Sequence, residues 1–202
     1  MTGVEGGLRE RKKARTREAI IHAALRLFDE QGFDHVTIAQ IAEAADIAPR
    51  TFFGYFRTKE DVLFWDFEES LGSLRARLTD REPGETAVDA MRAWIAGVVQ
   101  GTDFGDAREG CRRRLIRENE VLAAHDRKLM GRFEEALAEA VAVDLGGEPG
   151  AVRARMVAGA TIAALAILTE YFKEEDAPGD DPMGVIDEAL SFVRGGIAAL
   201  QE

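Results

Sequence analysis

Cysteine, proline and long apolar runs are scarce in this 202-residue sequence, and each scarcity excludes a class of protein. The single cysteine, Cys111, rules out an internal disulfide framework and suits a reducing cytoplasm. The longest uncharged run, residues 156–169, is too short to span a bilayer. The charged N-terminus lacks the apolar stretch of a secretory signal. We therefore expect a cytoplasmic protein without a membrane segment.

The five prolines and the lack of alternating β-branched residues favour helix throughout. Apolar residues at three- and four-residue spacing predict about nine helices and no strand, an all-α fold. A disordered tail is expected over residues 1–8. The predicted helices run from Arg9 to Gly32, from Thr37 to about residue 45, over 49–57, from Thr58 through Leu78, and over 86–100, 107–122, 125–145, 150–174 and 183–200.

Acidic residues outnumber basic ones, and the net charge of −11 by itself argues against nucleic-acid binding. The charge is, however, unevenly distributed along the chain. Residues 1–60 hold ten basic and nine acidic side chains, whereas residues 61–202 hold sixteen and twenty-eight. Residues 8–26 alone hold seven basic and two acidic ones. The basic surface is thus confined to the N-terminus, where a polyanion could bind.

Three predicted helices lie within the first 57 residues, and a turn of three or four residues separates the second from the third. These dimensions are typical of a helix-turn-helix DNA reader, although many helical hairpins also have short turns. The first helix carries a basic run that suits phosphates: Arg9, Arg11, Lys12, Lys13, Arg15 and Arg17.

The residue identities in the stretch 11–64 are more specific evidence of function than the spacing of its helices. The stretch resembles the DNA-binding domain of the TetR family of transcriptional repressors over its whole length. The matching residues are Ile20, Ala23-Ala24, Leu27-Phe28, Gly32-Phe33, Val36-Thr37-Ile38, Ile41-Ala42, Ala45, Ile47, Thr51-Phe52-Phe53, Tyr55-Phe56 and Lys59-Glu60. The resemblance implies a helix-turn-helix domain over 9–57 and a helical ligand-binding and dimerisation domain over 58–202.

By this resemblance the third helix is the recognition helix, and its first turn enters the major groove. Arg50 is expected to contact bases, because a guanidinium can bind guanine O6 and N7 together. Thr37 and Lys59 are expected on phosphates. The full set of expected DNA-binding residues is Arg15, Arg17, Thr37, Pro49, Arg50, Thr51, Phe53, Gly54, Tyr55 and Lys59.

Four aromatics lie within the five positions 52–56 and divide by helical angle. Phe52 and Phe56, four residues apart, share one face and are predicted to be core, while Phe53 and Tyr55 are predicted to face DNA. The sequence departs from the family pattern at two positions. Phe53 lacks the hydroxyl common there, and Gly54 stands where many relatives carry a large side chain, so the base preference is expected to differ at this point.

The C-terminal part resembles the family only in outline, and its site residues follow from the family's architecture. An apolar or amphipathic effector, such as an acyl-coenzyme A-like molecule, is expected in a central cavity. The candidate lining residues are Trp65, Met91, Trp94, Val98, Arg113, Phe133, Leu137 and Met156, and for each apolar one an ordinary core position is the more common alternative. The basic cluster at 112–117 suits either an anionic effector or a solvated face paired with neighbouring glutamates.

The last two helices are the expected homodimer interface, because small residues on one and an apolar stripe on the other would form a four-helix bundle with a second copy. The alternative is that both helices pack within one subunit. The interface residues expected are Gly159, Ala163, Ile186, Leu190, Val193 and Ile197.

These patterns predict a ligand-responsive transcriptional regulator, more readily a repressor, that binds double-stranded operator DNA as a homodimer. No catalytic residue, metal site or cofactor is predicted, because the three histidines are scattered and no nucleophile or phosphate-loop motif occurs. Two alternatives stay open: a helix-turn-helix adaptor that binds a protein, and an all-helical enzyme.

Overall fold

The computed structural model describes residues 3–101, 107–148, 150–171 and 182–201. Over these ranges the chain forms α-helices and two short 3₁₀ turns, at Phe33–His35 and Glu60–Val62, with no strand. The all-α prediction is confirmed. The α-helices are α1 (Gly3–Gln31), α2 (Ile38–Ala44), α3 (Pro49–Phe52), α4 (Phe67–Thr79), α5 (Ala87–Gly101), α6 (Ala107–Glu118), α7 (Glu120–Asp144), α8 (Val152–Tyr171) and α9 (Pro182–Gln201).

The first helix ends where the sequence predicts but begins earlier. Gly32 follows α1 with a φ of +81°, a conformation that glycine adopts without strain. The helix begins at Gly3 rather than near Arg9, so residues 3–8, predicted to be a disordered tail, are helical here. Extending an existing helix fixes one residue per hydrogen bond gained, which is much easier than nucleating a new one.

Two short helices follow, joined by the predicted turn. Thr37 caps α2, and Gln40 completes a reciprocal capping box with it. Asp46 in the turn has a φ of +53°, and Pro49 takes the first position of α3. α3 ends at Phe52, five residues before the predicted end, and the chain continues through turns stabilised by the Gly54 N–H, which donates to Thr51 O at 3.0 Å.

Thr58 and Asp61 form a capping box, but it opens a 3₁₀ turn rather than the long helix predicted to begin at Thr58. The Asp61 carboxylate accepts the Thr58 N–H at 3.1 Å, and the Thr58 hydroxyl accepts the Asp61 N–H at 3.2 Å. α4 begins only at Phe67. The later helices lie within five residues of their predicted bounds, and Gly84, with a φ of +85°, lies in the connection between α4 and α5.

Contacts within the chain divide it into two compact units. The first comprises residues 1–67 and 103–126, and therefore includes α1, α2, α3 and α6. The second comprises residues 68–102 and 127–202, and includes α4, α5, α8, α9 and most of α7. The functional boundary expected between residues 57 and 58 stays a prediction, since the first compact unit extends to Phe67 and takes in α6.

Each unit has its own apolar core. In the first unit, fully buried side chains of α1 such as Ile20 and Phe28 pack with Ile41 of α2 and Phe52 of α3. In the second, α9 packs on α8 and on α5. Within the described ranges, no helix is both long and apolar enough to cross a membrane.

Candidate nucleic-acid interface

The first turn of α3 presents a polar surface in the first unit. Pro49 and Arg50 are exposed and Thr51 is half-buried. Proline suits this position because it needs no hydrogen bond to its nitrogen and its fixed φ matches a helix. Arg50 has no partner among the described side chains, so its five N–H donors are free for a ligand such as a guanine edge.

The aromatic cluster at 52–56 divides as predicted. Phe52 is fully buried and Phe56 is 6% exposed, with their ring centroids 5.9 Å apart. Phe53 is 58% exposed and touches Phe52 only edge-on, at 5.7 Å. Tyr55 is half-buried. Two rings thus hold the helix on the domain, while the ring of Phe53, which follows α3 directly and lies three residues after Arg50, faces solvent.

Gly54 is exposed and lies in an ordinary backbone conformation. A Cβ built there would meet the Thr51 carbonyl oxygen at 3.3 Å, a tight contact that a shift of a few tenths of an ångström relieves. Glycine is therefore not required by backbone geometry at this position, and the missing side chain leaves open surface between Phe53 and Tyr55.

Thr37 is exposed at the start of α2, but its polar groups already have partners. Its hydroxyl accepts the Gln40 N–H at 3.3 Å, and its own N–H donates to the Gln40 side-chain oxygen at 2.8 Å. The hydroxyl also donates to that oxygen at 2.8 Å. Contact of Thr37 with phosphate stays a prediction, and the structure gives the residue a helix-capping role.

Lys59 differs most from its expected role. Its ammonium donates to the carbonyl oxygens of Phe33 at 2.7 Å and of Val36 at 3.1 Å, and reaches that of Asp34 at 3.5 Å. It also lies 4.3 Å from the centroid of the Phe33 ring. Its three donors therefore bind the turn after α1, which indicates that Lys59 stabilises the domain rather than presenting its charge to phosphate.

The two arginines expected on DNA from α1 have different surroundings. Arg17 is half-buried, donates to the Trp65 carbonyl oxygen and stands 5.6 Å from the Phe56 ring centroid. Arg15 is exposed and has no partner among the described residues. Arg17 thus belongs to the packing of the first unit, and only Arg15 offers a free charge.

α6 is attached to α1 by polar contacts that sequence reasoning missed. Arg108 pairs with Glu18, and Arg114 pairs with Asp29. The Asn119 amide donates to both carboxylate oxygens of Asp34 at 3.3 Å. The partners are 85 to 90 residues apart in sequence, so no local pattern pairs them. Only the regular spacing of basic residues on α6 hinted at a charged partner surface.

Cys111 lies between these contacts on α6. Its sulfur is 4.0 Å from the Leu25 carbonyl oxygen, and burial raises the pKa of its thiol. A half-buried thiol with a raised pKa is a poor nucleophile, which favours a packing role for Cys111 over a reactive one.

The basic cluster on α6 is largely neutralised. Arg112 pairs with Glu109 at 2.7 Å and Asp66 at 3.3 Å, and its guanidinium lies 5.1 Å from the Trp65 ring centroid. Burial lowers the pKa of Arg112, but the hydrogen bond to Glu109 and the charges of Glu109, Asp66 and Asp126 outweigh that effect and leave its pKa raised. Arg113 is 3.8 Å from Glu109. Of the two interpretations of this cluster, the paired face is the better supported.

The residues expected to line one ligand cavity are placed in different surroundings. Trp65 and Arg113 lie in the first unit, in the contacts just described. In the second unit Met91, Phe133 and Leu137 are buried core residues, whereas Met156, expected in the cavity, is instead 61% exposed on α8. Sequence periodicity could not place Met156, because α8 is apolar on both sides.

An open groove between α4 and α5 contains two of the expected ligand residues, Trp94 and Val98. The groove has a volume of about 360 Å³. The Trp94 indole N–H donates to the Ser73 hydroxyl at 3.2 Å, and the Trp94 ring lies 5.8 Å from that of Phe133. The lining residues are Ser73, Arg77, Ala93, Trp94, Gly97 and Val98.

The residues expected at the dimer interface differ in their exposure. Ile186, Leu190 and Val193 are buried within the single chain, so the apolar stripe of α9 packs inside one subunit and is not an exposed seam. Gly159 is half-buried and faces Glu134, whose Oε1 a Cβ would meet at 3.5 Å. Ala163 is exposed as expected. The side chain of Ile197 lies outside the described residues.

A different surface on α8 and α9 is apolar and exposed. Val152, Met156, Ala163 and Ile167 are exposed and fall on one stripe of α8, and Phe192 of α9 is 81% exposed. No sequence pattern separated this stripe from the buried face of α8.

Comparison with protein families gives the context of these surfaces. The family "Bacterial regulatory proteins, tetR family" matches residues 20–64. The family of the MftR C-terminal domain matches residues 85–198, which are more than half of the chain. The chain belongs to the TetR family. It is therefore a DNA-binding transcriptional regulator and not an enzyme, and its helix-turn-helix is the family's DNA-binding element.

Two curated relatives extend the match. The regulator TcmR of Streptomyces glaucescens is 36% identical over 150 residues, which are 69% of this chain and 66% of TcmR. The putative mycofactocin biosynthesis transcriptional regulator MftR of Mycobacterium tuberculosis is 26% identical over 193 residues, which are 95% of this chain and 96% of MftR.

Solved structures show that the TetR fold extends through the C-terminal part. The SmeT–triclosan complex covers 88% of this chain and 90% of its own, at 22% identity and a TM-score of 0.62. Thermus thermophilus FadR in complex with lauroyl-CoA covers 89% of this chain and 94% of its own, at 24% identity and a TM-score of 0.57.

Proposed function

We propose that this TetR-family protein is a homodimeric repressor that reads a pseudo-palindromic operator with α3. The observation that carries the proposal is the division of one short element into a buried and a free side. Phe52 and Phe56 fix the element on the domain, while Arg50 and Phe53 are exposed and unengaged by polar partners. Arg50 reads a guanine edge, and Phe53 packs on a thymine methyl or a sugar.

The test uses duplexes of the DNA upstream of the protein's own gene and all single-base variants of the bound site. Arg50→Ala should reduce discrimination at one base pair by about 1–3 kcal/mol, or about 5- to 150-fold, and leave the other positions unchanged. Arg57→Ala is the matched control, since Arg57 is an exposed cation beyond α3. This substitution should change the affinity for all sequences by the same factor. Undiminished discrimination by Arg50→Ala contradicts the assignment.

A small apolar or amphipathic effector binds the second unit and releases DNA. The support is the α4–α5 groove, which offers the Trp94 indole, an apolar edge at Val98 and the polar groups of Ser73 and Arg77. Two proteins of the same fold were solved with triclosan and with lauroyl-CoA. Both molecules are apolar or amphipathic, so they are suitable probes.

Linkage gives this effector step a strict test. Operator DNA should weaken the affinity for the effector by the same factor by which the effector weakens the affinity for DNA. Val98→Arg, which places a charge in the groove, should weaken effector binding, whereas Val143→Arg on the exposed side of α7 should not. Equal effector affinity in free and DNA-bound protein contradicts release by this route.

The homodimer forms through the exposed stripe of α8 together with Phe192 of α9. Val152, Met156 and Ile167 leave 61 to 71% of their surface exposed in the single chain, and burying such side chains stabilises association by the hydrophobic effect. Two copies of α8 and α9 form a four-helix bundle around this stripe. A twofold dimer in turn matches the symmetry of a palindromic operator.

A further inference from the structure

Asn119 lies between α6 and α7, and both ends of its side-chain amide are engaged within the first unit. The amide oxygen accepts the N–H groups of Val121 at 3.0 Å and of Leu122 at 3.2 Å, so Asn119 caps the N-terminus of α7. The amide nitrogen donates to the two carboxylate oxygens of Asp34, both at 3.3 Å. Because the cap fixes the oxygen, the nitrogen of the planar amide is held towards Asp34.

Asp34 belongs to the 3₁₀ turn Phe33–His35, which connects α1 to the helix-turn-helix. Thr37, the N-cap of α2, follows this turn after a single residue. Gly32, with its φ of +81°, ends the first helix just before the turn. The direction in which α2 leaves α1 is therefore set by the position of this turn.

The same turn also holds the chain that follows α3. The Lys59 ammonium donates to the carbonyl oxygens of Phe33 at 2.7 Å and of Val36 at 3.1 Å. Lys59 lies three residues after Phe56, whose ring centroid is 5.9 Å from that of Phe52 in α3. A movement of the turn therefore acts on the start of α2 directly and on the end of α3 through Lys59.

The contact between Asn119 and Asp34 suits the positioning of this turn better than the stabilisation of the fold. It lies at the surface, where water replaces a lost hydrogen bond at little cost, so its loss changes stability only slightly. Its geometric effect is larger, because a bidentate contact with a guanine edge needs both of its hydrogen bonds within about 3.2 Å. The orientation of α3 decides whether Arg50 reaches both acceptors.

We propose that Asn119 and Asp34 are positioning residues for DNA recognition, which act through the turn Phe33–His35 on the orientation of α2 and α3. Neither residue needs to touch DNA for this role. The junction of α6 with α7, and not the helix-turn-helix alone, then sets the geometry in which bases are read. The inference rests on the proposed DNA-binding function of α3.

An exchange of the two side-chain groups tests the contact without removing the cap. Asn119→Asp keeps an oxygen for the N–H groups of α7, because aspartate caps helices as well as asparagine does, but it sets two carboxylates against each other. The double variant Asp34→Asn/Asn119→Asp restores the pairing of one amide with one carboxylate in the reverse order. Val121→Asp is the matched control, since it adds the same charge to the first turn of α7 at a valine that is 62% exposed.

The measured quantity is the Kd for a scrambled duplex divided by the Kd for the upstream duplex, from fluorescence anisotropy well below the Tm of each variant. This ratio cancels the general repulsion between an added carboxylate and DNA. Asn119→Asp should lower the ratio by about 2- to 30-fold, the range found for residues that act on a site without contacting its ligand. The double variant should restore the wild-type ratio, and Val121→Asp should leave it unchanged. The Tm of each variant should stay within about 4 °C of the wild type.

The possible results distinguish this inference from the proposed function. A wild-type protein with equal affinity for the two duplexes overturns the proposed function itself. If the wild type discriminates, an unchanged ratio in Asn119→Asp overturns the positioning role, and so does a lowered ratio that the double variant does not restore. A loss of discrimination accompanied by a larger fall in Tm assigns the contact to folding alone, which overturns the inference as well.

Discussion

Replacing Lys59 by methionine distinguishes two possible roles of the lysine, contact with a DNA phosphate and stabilisation of the turn after α1. The family resemblance expects its ammonium on a DNA phosphate, whereas the structure places it on the carbonyl oxygens of Phe33 and Val36. Methionine keeps most of the apolar stem and removes the three donors. The carbonyl oxygens of the turn between α1 and α2 then lose their donor, and the Phe33 ring loses the cation 4.3 Å from its centroid.

The expected cost follows from those contacts. Hydrogen bonds to a charged group contribute about 1.5–3 kcal/mol, and a partly exposed cation over an aromatic ring adds about 0.5–1 kcal/mol. Lys59 is only half-buried, so water can replace part of what it supplies to the turn. We therefore expect a loss of about 2 kcal/mol in the free energy of unfolding, which lowers the Tm of a chain of this size by about 4–8 °C.

Thermal unfolding followed by circular dichroism measures the loss, and DNA affinity well below the Tm measures any phosphate contact. Arg57→Met is the matched control, because it removes an exposed cation two residues away and should change stability by less than about 0.5 kcal/mol. The structural role predicts a lower Tm with DNA affinity reduced no more than in the control. An unchanged Tm with a large loss of affinity would refute it.

Three further predictions concern other parts of the chain. Ile167→Glu with Phe192→Glu should give a monomer in sedimentation velocity, whereas Val121→Glu, at an exposed valine of α7, should stay dimeric. Arg92 holds the pKa of Asp187 below its usual range through a hydrogen bond. The contribution of this pair to stability is therefore present above the unfolded pKa of about 3.9 and is lost as pH falls through the folded pKa. Asp187→Asn should lower the urea midpoint of unfolding at pH 7, and the difference between the variant and the wild type should vanish near pH 2. Gly54→Ala should leave the Tm within a few degrees, since its φ is ordinary and only the Thr51 carbonyl oxygen must shift, while selection from random duplexes should show an altered base preference.

Apolar periodicity predicted the long helices because it reports a property of each segment alone. The predicted helices 86–100 and 183–200 correspond to α5 and α9 within two residues at either end. Periodicity also predicted that Phe52 is buried and Phe53 is exposed, because successive residues differ by 100° in direction on a helix. Local patterns suffice when the neighbours in space are also neighbours in sequence.

Contacts between distant segments could not be predicted in this way. The acceptors of Lys59 lie 23 and 26 residues before it, and the partner of Arg114 lies 85 residues away. A lysine after a recognition helix has the same local sequence whether its ammonium meets a phosphate or a carbonyl oxygen. Backbone carbonyls also leave no signature in the identity of the residues that carry them, so this role could be found only from coordinates.

The length of α3 illustrates a second limit. The aromatics from Phe52 to Phe56 keep helical spacing, yet the helix ends at Phe52 and turns follow. Tyr55 and Phe56 both donate their N–H to the Phe52 carbonyl oxygen, at 2.9 and 3.0 Å, so the side chains keep nearly helical directions while the backbone tightens. Glycine at position 54 favours this exit because it is costly inside a helix. Side-chain periodicity therefore survives where the helix does not.

The proposed dimer surface rests on a property of α8 that apolar periodicity does not reveal. Ala154, Val157 and Ala158 are buried on one side of this helix, while Met156 and Ile167 are exposed on the other. A helix that is apolar all round needs cover on both sides, and within one chain only one side receives it. The apolar stripe of α9 shows the opposite case. Its regular spacing suggested an interface between two subunits, yet its residues are buried within the single chain. Exposure, rather than periodicity, is what identifies the side of α8 that we propose for contact with a second subunit.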